Sequence, residues 1–415
     1  MYEKVFCRSI GCHRSTAHSL SSCEDKSLKF YDLEIKVDES GFDSEVPVPD
    51  AYQVTFTNTN TGEVLGFTTV NKKISVLQIP EGVYDVVATA RLSLYNYLGT
   101  VKGAVINSNE SLTSIPVVAT KSSSLVIKEV FYSCSRTPAN ATYLKDNFFE
   151  IYNNGPDPVF VDGLCIGTSS NYSSASINFA DAEGNLVNAD GTHTGIKADD
   201  YLCMNSVVWQ VPGNGSTYLL NPGESFVIAS YATDHTAEDK NPNSIDLSGA
   251  DFETVCDKYI EKGQVDNLDV PNLNLIIPHN PTITNQYMPS ALTAGFILFS
   301  LSKSADELPI VGNYNLEKET VTGKYLAIPR KDILDGVNWV KNATTDAWLP
   351  ETIDAGKTFV SGTYVNESIC RKVEKTAEGG YPVFLDTNNS TNDFDTNLKP
   401  ELRRYEVKAP SWKNQ

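Results

Sequence analysis

The sequence predicts an all-β protein built as two β-sandwich domains, and three observations carry that prediction. Apolar residues recur at every second position in short runs such as "LKFYDLEIKV" and "AYQVTFTNTN", the period of a strand with one buried face. Gly, Pro and Asn interrupt the runs where a chain would reverse direction. The longest apolar stretches, such as "AGFILFSLS" near 294, have strand length and fall short of the ~18 consecutive apolar residues of a membrane-spanning helix. A chain of 415 residues has room for two or three domains of ~100 to 200 residues each.

Residues 1 to 27 read as an unstructured leader and tether. They hold Leu20-Ser21-Ser22-Cys23 followed by Glu24-Asp25, and this tetrapeptide resembles a bacterial lipobox, in which the Cys thiol carries the lipid. The leader lacks the apolar centre of a secretory signal, so an accidental LSSC stands as the competing reading. Lipidation of Cys23 is the expectation that the resemblance implies. Cys7, Cys12, His13 and His18 also lie here, the one Cys/His concentration in the chain, and no metal site is assigned to them.

Residues 28 to 120 read as the first sandwich, with ~6 or 7 antiparallel strands. Within "TNTNTGEVLGFTTVNKKISVLQIPEGVYDVVATA", a polar turn at Thr61-Gly62 leads into a strand, and Pro80-Glu81-Gly82 turns into another that carries Tyr84. This "lPpGxY" pattern resembles the carboxypeptidase-regulatory or transthyretin-like fold, with Gly82 supplying the turn and Tyr84 filling the core.

The Ser-rich join "TKSSSL" at 120 to 125 marks a boundary, and the second sandwich is expected over 123 to 408. Its pattern runs "LVIKEVFYS", then "NFFEIYNNGPDPVFVDGLCI", read as a hairpin with Glu150 in its first strand, then "YLLNPGESFVIAS" and "GFILFSLSKSADELPIVGNY". The order resembles the lamin-tail domain, an immunoglobulin-like sandwich, with Glu129, Glu150, Tyr152, Asn153, Asn154, Asp162, Gly163, Pro222 and Gly223 at its motif positions. "SICRKV" at 368 to 373 is similar to that family's "S-x-x-R" strand, and "LDTNNSTNDFDTNLKPELRRY" to its closing segment. Long insertions are expected near 168–216 and 312–362. With the LSSC and the first module, the whole chain resembles a Bacteroidetes family of surface lipoproteins of unknown function, which implies a location and a fold and no activity.

Composition narrows the function further. Fifty-two acidic residues against 33 basic ones give a formal net charge of -19, which repels phosphate backbones and anionic headgroups and argues against nucleic-acid binding. No cofactor motif is present. His193, His235 and His279 stand outside any Gly-x-Ser-x-Gly or His-Glu-x-x-His pattern. Glu129 and Glu150, on adjacent expected strands, are a carboxylate pair of the kind that glycoside hydrolysis uses; the alternative is that both accept structural hydrogen bonds. "DTNNSTND" at 386 to 393 offers Asp386, Asn388, Ser390 and Asp393 in a calcium-loop spacing, but Thr391 and Asn397 stand where an EF-hand needs Gly and Glu, so a polar turn is expected. The acidic, Asn-rich stretch 181 to 200 is a second loose candidate for cations.

Ligand binding, if present, is expected through aromatic faces in the insertions, since sugars stack on Trp and Tyr. Trp209, Trp339, Trp348, Tyr172 and Tyr218 are the candidates, with core packing under the insertions as the alternative. Five Cys, at 134, 165, 203, 256 and 370, lie in the second region; an odd number leaves at least one free, assigned to Cys165, unless all five stay reduced. The expectation is a non-enzymatic, lipid-anchored protein of the outer membrane or cell surface, bound to the membrane by its lipid alone, that binds a glycan or an envelope partner. A glycan hydrolase using Glu129 and Glu150 and a purely architectural module are the alternatives.

Overall fold

The computed structural model describes residues 29–42, 46–92, 95–121, 123–277 and 285–414. The protein is nearly all β, and among the described residues its α-helices are the single turns Asp257–Ile260 and Ser390–Asp393. Among the described residues no helix is long and apolar enough to cross a membrane. Residues 1–28, with Cys23 and the leader Cys and His residues, lie outside the described part, as does His279.

The N-terminal part obeys the period-two rule. In Phe30–Asp38, Leu33, Ile35 and Val37 are buried while Asp32, Glu34 and Lys36 face solvent. Eight strands form two sheets. One orders Lys73–Pro80, Phe30–Asp38 and Ser114–Pro116, and the other orders Val64–Thr68, Gln53–Asn58, Gly82–Leu92, Tyr95–Ile106 and Val118–Lys121. One pairing, Phe30–Asp38 with Ser114–Pro116, is parallel, which simple alternation does not signal. Tyr52, Phe56, Tyr84 and Tyr97 anchor the core between the sheets. Tyr84 does fill the core, with its hydroxyl donating to the Pro80 carbonyl at 3.0 Å. Gly62 takes φ +72° at the first turn. Gly82 serves differently from the expectation: a Cβ there would meet Asn58 Nδ2 at 3.0 Å and the Tyr84 ring at 3.2 Å, so it is needed for close approach.

From Leu125 onward two larger sheets face each other. The six-stranded sheet runs Phe252–Glu253, Ser225–Ala229, Phe148–Asn153, Leu125–Phe131, Ser368–Arg371, Phe394–Leu398; the other runs Ile310–Asn315, Thr320–Pro329, Tyr201–Gln210, Leu164–Ser169, Ala294–Ser300, Ile333–Trp339, with Asn274–Ile277 also paired to Tyr201–Gln210. Their inner faces make one apolar core, in which Phe149 of the first sheet stacks on Phe296 of the second with centroids 4.2 Å apart.

The stretch 146–166 is a corner between the two sheets, where the sequence suggested a hairpin. Phe148–Asn153 pairs with Leu125–Phe131 and Ser225–Ala229, Val159–Phe160 pairs with Leu219–Leu220, and Leu164–Ser169 joins the opposite sheet. The two Asn residues hold the corner. Asn153 Nδ2 donates to the Asp157 and Leu220 carbonyls, and the Asn154 side chain bonds both the N–H and the carbonyl of Phe384. A tight turn would keep both strands in one sheet; these bonds carry the chain across the sandwich.

The central strands of the six-stranded sheet are buried on both faces, and every residue of Leu125–Phe131, Phe148–Asn153 and Ser225–Ala229 is inaccessible. A β-bulge sets the phase: Glu150 pairs with Glu129 and Ile151 with Ile127, which leaves Lys128 as the extra residue. Leu125, Ile127, Val130 and Tyr132 therefore face the inner core. Val126 packs with Tyr152, Phe384 and Val407, and Phe131 with Phe148, Val227 and Leu247, in separate clusters on the other side.

The stretches read as insertions contribute strands to the second sheet. Tyr201–Gln210 and Ile333–Trp339 lie within it. The hairpin Ile310–Asn315 with Thr320–Pro329 forms one end of it, and Asn185–Val187 with His193–Lys197 makes a separate two-stranded sheet, linked to it by a bridge between Asn188 and Val311.

Candidate functional site

The carboxylate pair nominated by the sequence is structural. Glu129 and Glu150 are register partners, and both are fully buried. Glu150 is held by Lys128 Nζ at 2.9 Å, Ser225 Oγ at 2.6 Å and the Arg403 N–H at 3.1 Å. Glu129 accepts from Ser368 Oγ at 2.7 Å, Arg404 Nε at 3.1 Å and the Glu401 N–H at 3.1 Å. Burial pushes the Glu129 carboxyl up, opposed by Arg404, Lys128 and Ser368. The C-terminal segment covers both acids: Arg403 also bonds Asp251 at 2.6 Å, Lys413 reaches Asp251 at 3.1 Å, and Trp412 packs on Tyr218 and Phe226. With both carboxylates sealed and their oxygens engaged, neither can reach a glycosidic bond.

A second buried ion cluster spans the two sheets. Arg371 donates to Asp335 through Nη2 at 2.6 and 2.7 Å, to Asp393 at 3.2 Å and to Asp386 at 3.4 Å, and to the Ile127 and Leu385 carbonyls at 2.9 Å each. This is where "DTNNSTND" goes. Asn389 caps the Ser390–Asp393 turn, accepting from the Thr391 and Asn392 N–H groups, and the acids face a guanidinium in place of a calcium ion. Burial, and the repulsion of Asp386, push Asp335 and Asp393 up, since one cation does not neutralise three anions. Among the described residues no group of three or more His, Cys, Asp or Glu side chains is placed to hold a metal ion. In the stretch 181–200, Asp181 accepts from the Asn185 N–H at 2.8 Å and lies 2.8 Å from His193 Nδ1.

The aromatic candidates divide. Trp209 and Trp339 are fully buried because they sit on sandwich strands. Trp339 stacks on Tyr132 at 4.9 Å and donates to the Ser290 carbonyl at 2.8 Å, and Trp209 stacks on Tyr259 at 6.0 Å; neither offers a face to a ligand. Tyr172 is part-buried, its hydroxyl accepting from the Cys203 N–H at 2.6 Å, and Tyr218 packs edge-on against Phe252 and Trp412. Trp348 is part-exposed. The structure does not bring these five together. The five Cys are free thiols; Cys165 is buried as expected, and burial pushes its thiol up to about 12.

The open site lies elsewhere, in a cleft of about 600 Å³ beside the edge of the six-stranded sheet, bordered by Tyr143, Tyr231, His235, Lys240 and Glu253. Its walls come from the short strand Thr142–Tyr143, from the connection after Ser225–Ala229, and from residues 265–267. His235 is buried, and burial lowers its imidazole to about 4, so the ring is neutral at pH 7. Nε2 lies 3.1 Å from the Tyr231 carbonyl, which only accepts, so Nε2 carries the proton and Nδ1 accepts from the Tyr143 hydroxyl at 2.8 Å. Glu253 accepts from the Ala232 N–H at 2.9 Å and the Asn267 N–H at 2.7 Å. Burial nonetheless pushes it up to about 7, with Asp266 adding repulsion. Lys145 stands over the Tyr231 ring at 5.3 Å. Residues 231–267 show no strand pattern, which hides this site in the sequence; the density of Tyr, Asp, His and Lys in "SYATDHTAEDKN" within a long connection is its one local signal.

These buried acids give the protein a stability profile with a defined sign. Burial lifts Asp146 and Asp354 from 3.8 to about 6 and Glu253 from 4.5 to about 7. Their contribution is present below pH ~4 and is lost as pH rises through 6 to 7. His235, lowered from 6.5 to about 4, works oppositely and loses stability as pH falls through that window. Three acids outweigh one imidazole, so the thermal midpoint should stand several degrees higher at pH 5 than at pH 8. Calorimetry across that range checks this, and a midpoint that climbs steadily toward pH 8 would contradict it.

No curated protein matches the chain. Residues 221–401 match the profile of a family described as "Protein of unknown function (DUF4876)". A solved structure of a DUF4876 family protein from Bacteroides thetaiotaomicron VPI-5482 is similar with a TM-score of 0.59 and 25% sequence identity, over 92% of this chain and 99% of that one. The chain is thus similar, over residues 221–401 in sequence and over nearly its whole length in fold, to a Bacteroidetes family of unknown function.

Proposed function

We propose that the protein is a non-catalytic, lipid-anchored component of the bacterial outer membrane or cell surface that binds a glycan or an envelope partner through the loops of its second sandwich. In this reading a transthyretin-like module spans 28–120 and a lamin-tail-like module 123–408, and Cys23 carries the lipid. The observation that carries the binding role is the loop-built cleft around Tyr143, Tyr231 and His235, since concave sites with a few polar groups among apolar and aromatic walls are where ligands settle. The non-catalytic part rests on the burial of Glu129 and Glu150 against Lys128 and Arg404. The likeness to a Bacteroides protein supports the bacterial setting.

Two measurements test the proposal. Incubated with a panel of polysaccharides, the purified protein should retain at least one and release no reducing sugar; release of reducing ends would overturn the non-catalytic reading, and capture of a protein partner with no glycan retained would favour the architectural one. Mass spectrometry of the native protein should find a diacylglyceryl group on Cys23 and no peptide from residues 1–22. An unmodified Cys23 within an intact leader, in cells that process lipoproteins, would remove the anchor.

A further inference from the structure

We infer that the Tyr143–His235 cleft is a site for one or two rings of a neutral sugar, an inference that rests on the glycan-binding reading above and gives it a location and a ligand chemistry. The volume, about 600 Å³, lies within the ~300–1,000 Å³ usual for small-ligand sites.

The lining separates into a fixed frame and groups with spare capacity. In the frame, the His235 nitrogens are both engaged, by Tyr143 and by the Tyr231 carbonyl. The Glu253 oxygens take the Ala232 and Asn267 N–H groups. Asn267 Nδ2 donates to the Ala232 carbonyl at 2.6 Å, and its Oδ1 accepts from the Asp269 N–H at 3.1 Å. These bonds fix the walls before any ligand arrives, which lowers the ordering cost of binding.

Capacity remains on four groups. The Tyr143 oxygen donates its proton to His235 and keeps its lone pairs. Lys240 uses two N–H bonds, to Thr233 Oγ1 at 2.7 Å and the Asp234 carbonyl at 2.8 Å, and an ammonium has three. Asp266 is engaged on both sides, receiving Asn272 Nδ2 on Oδ1 at 2.9 Å and hydrogen-bonding the Glu253 carboxyl, so it belongs with the frame. Lys145 and Asp239 are exposed at the rim. Donors and acceptors thus line the same cleft, two cations together with the carboxyls of Asp239, Asp266 and Glu253. An anionic ligand would meet Asp239 and Asp266, and a cationic one Lys145 and Lys240, so like-charge repulsion works against either. Neutral hydroxyls, each both donor and acceptor, match every group. The part-exposed Tyr143 ring and Val265, 76% exposed, give apolar surface to the C–H face of a pyranose.

Titration calorimetry with methyl glucoside, methyl galactoside, methyl mannoside and N-acetylglucosamine, and with glucuronate and glucosamine as charged counterparts, tests the inference. At least one neutral sugar should bind saturably, its charged counterpart at least tenfold more weakly. Lys145→Ala and Asp239→Asn, both at exposed positions that leave the frame intact, should each weaken binding several-fold. Tighter binding of a charged sugar overturns the assigned chemistry. Neutral-sugar binding that both variants leave unchanged overturns the site while the glycan-binding reading stands, and failure of every sugar, with polysaccharides also unretained, overturns both.

Discussion

Arg371→Leu should cost the protein about 3 to 5 kcal/mol of stability, the scale for breaking a buried ion pair from one side. The guanidinium is 1% exposed and meets three carboxylates, two carbonyls and the Phe394 ring, 4.8 Å from its centre. It also joins the sheets, since Asp335 lies on Ile333–Trp339 of one and Arg371 on Ser368–Arg371 of the other, and Asp335 in turn accepts from the Ile127 N–H at 2.7 Å. Leucine fills the space and leaves the acids without a cation, so they take up protons. The penalty is therefore smaller at pH 5 than at pH 8. Arg371→Lys should recover only part of the loss, because one ammonium replaces three guanidinium nitrogens that separately reach Asp335, Asp393 and the Ile127 and Leu385 carbonyls. Denaturant unfolding at both pH values is the measurement, and a loss below about 1 kcal/mol that is the same at both would show that the cluster does not join the sheets.

The second large effect is expected at Glu150. Glu150→Gln leaves the Lys128 ammonium, sealed in its bulge, beside a neutral amide, and the expected cost is again about 3 kcal/mol or more. The double variant Glu150→Gln with Lys128→Met should regain much of it, because removing both charges also removes the cost of desolvating them. A catalytic carboxylate behaves otherwise: its amide variant keeps stability and loses turnover. If Glu150→Gln unfolds at the denaturant concentration of the parent, the structural assignment of this pair falls.

The residues that define these two predictions show how far the sequence could be read. Ser368 and Arg371 were visible as an S-x-x-R strand motif, and the structure gives each a partner, Glu129 for the serine and Asp335 for the arginine. Glu129 and Glu150 were visible as carboxylates on neighbouring strands, which they are. What covers them was not visible, because Arg403 and Arg404 come from more than 250 residues away in the chain, and no local pattern marks a segment that will fold back over a sheet. The same blindness placed Trp209 and Trp339 in insertions, as candidates for ligand stacking or for packing over the core. Each sits in a segment whose strand neighbours are distant in sequence, Cys165–Gly167 for Trp209 and Ala294 for Trp339, so a strand of the sandwich looked like part of an insertion.

The sequence by itself determined the strand content, the alternation that buries Leu33, Ile35 and Val37, the turn at Thr61-Gly62 and the net negative charge, because all of these follow from local periodicity, turn chemistry and composition. Only the tertiary structure decided that residues 146–166 cross between sheets, that the two glutamates are sealed, and that Tyr143, His235 and Lys240 share a cleft. The physical reason is that burial and hydrogen-bond partnership belong to pairs of segments brought together in space. A residue's own neighbours in the chain fix its conformation, but whether its charge meets water, a cation or a ligand depends on what packs against it.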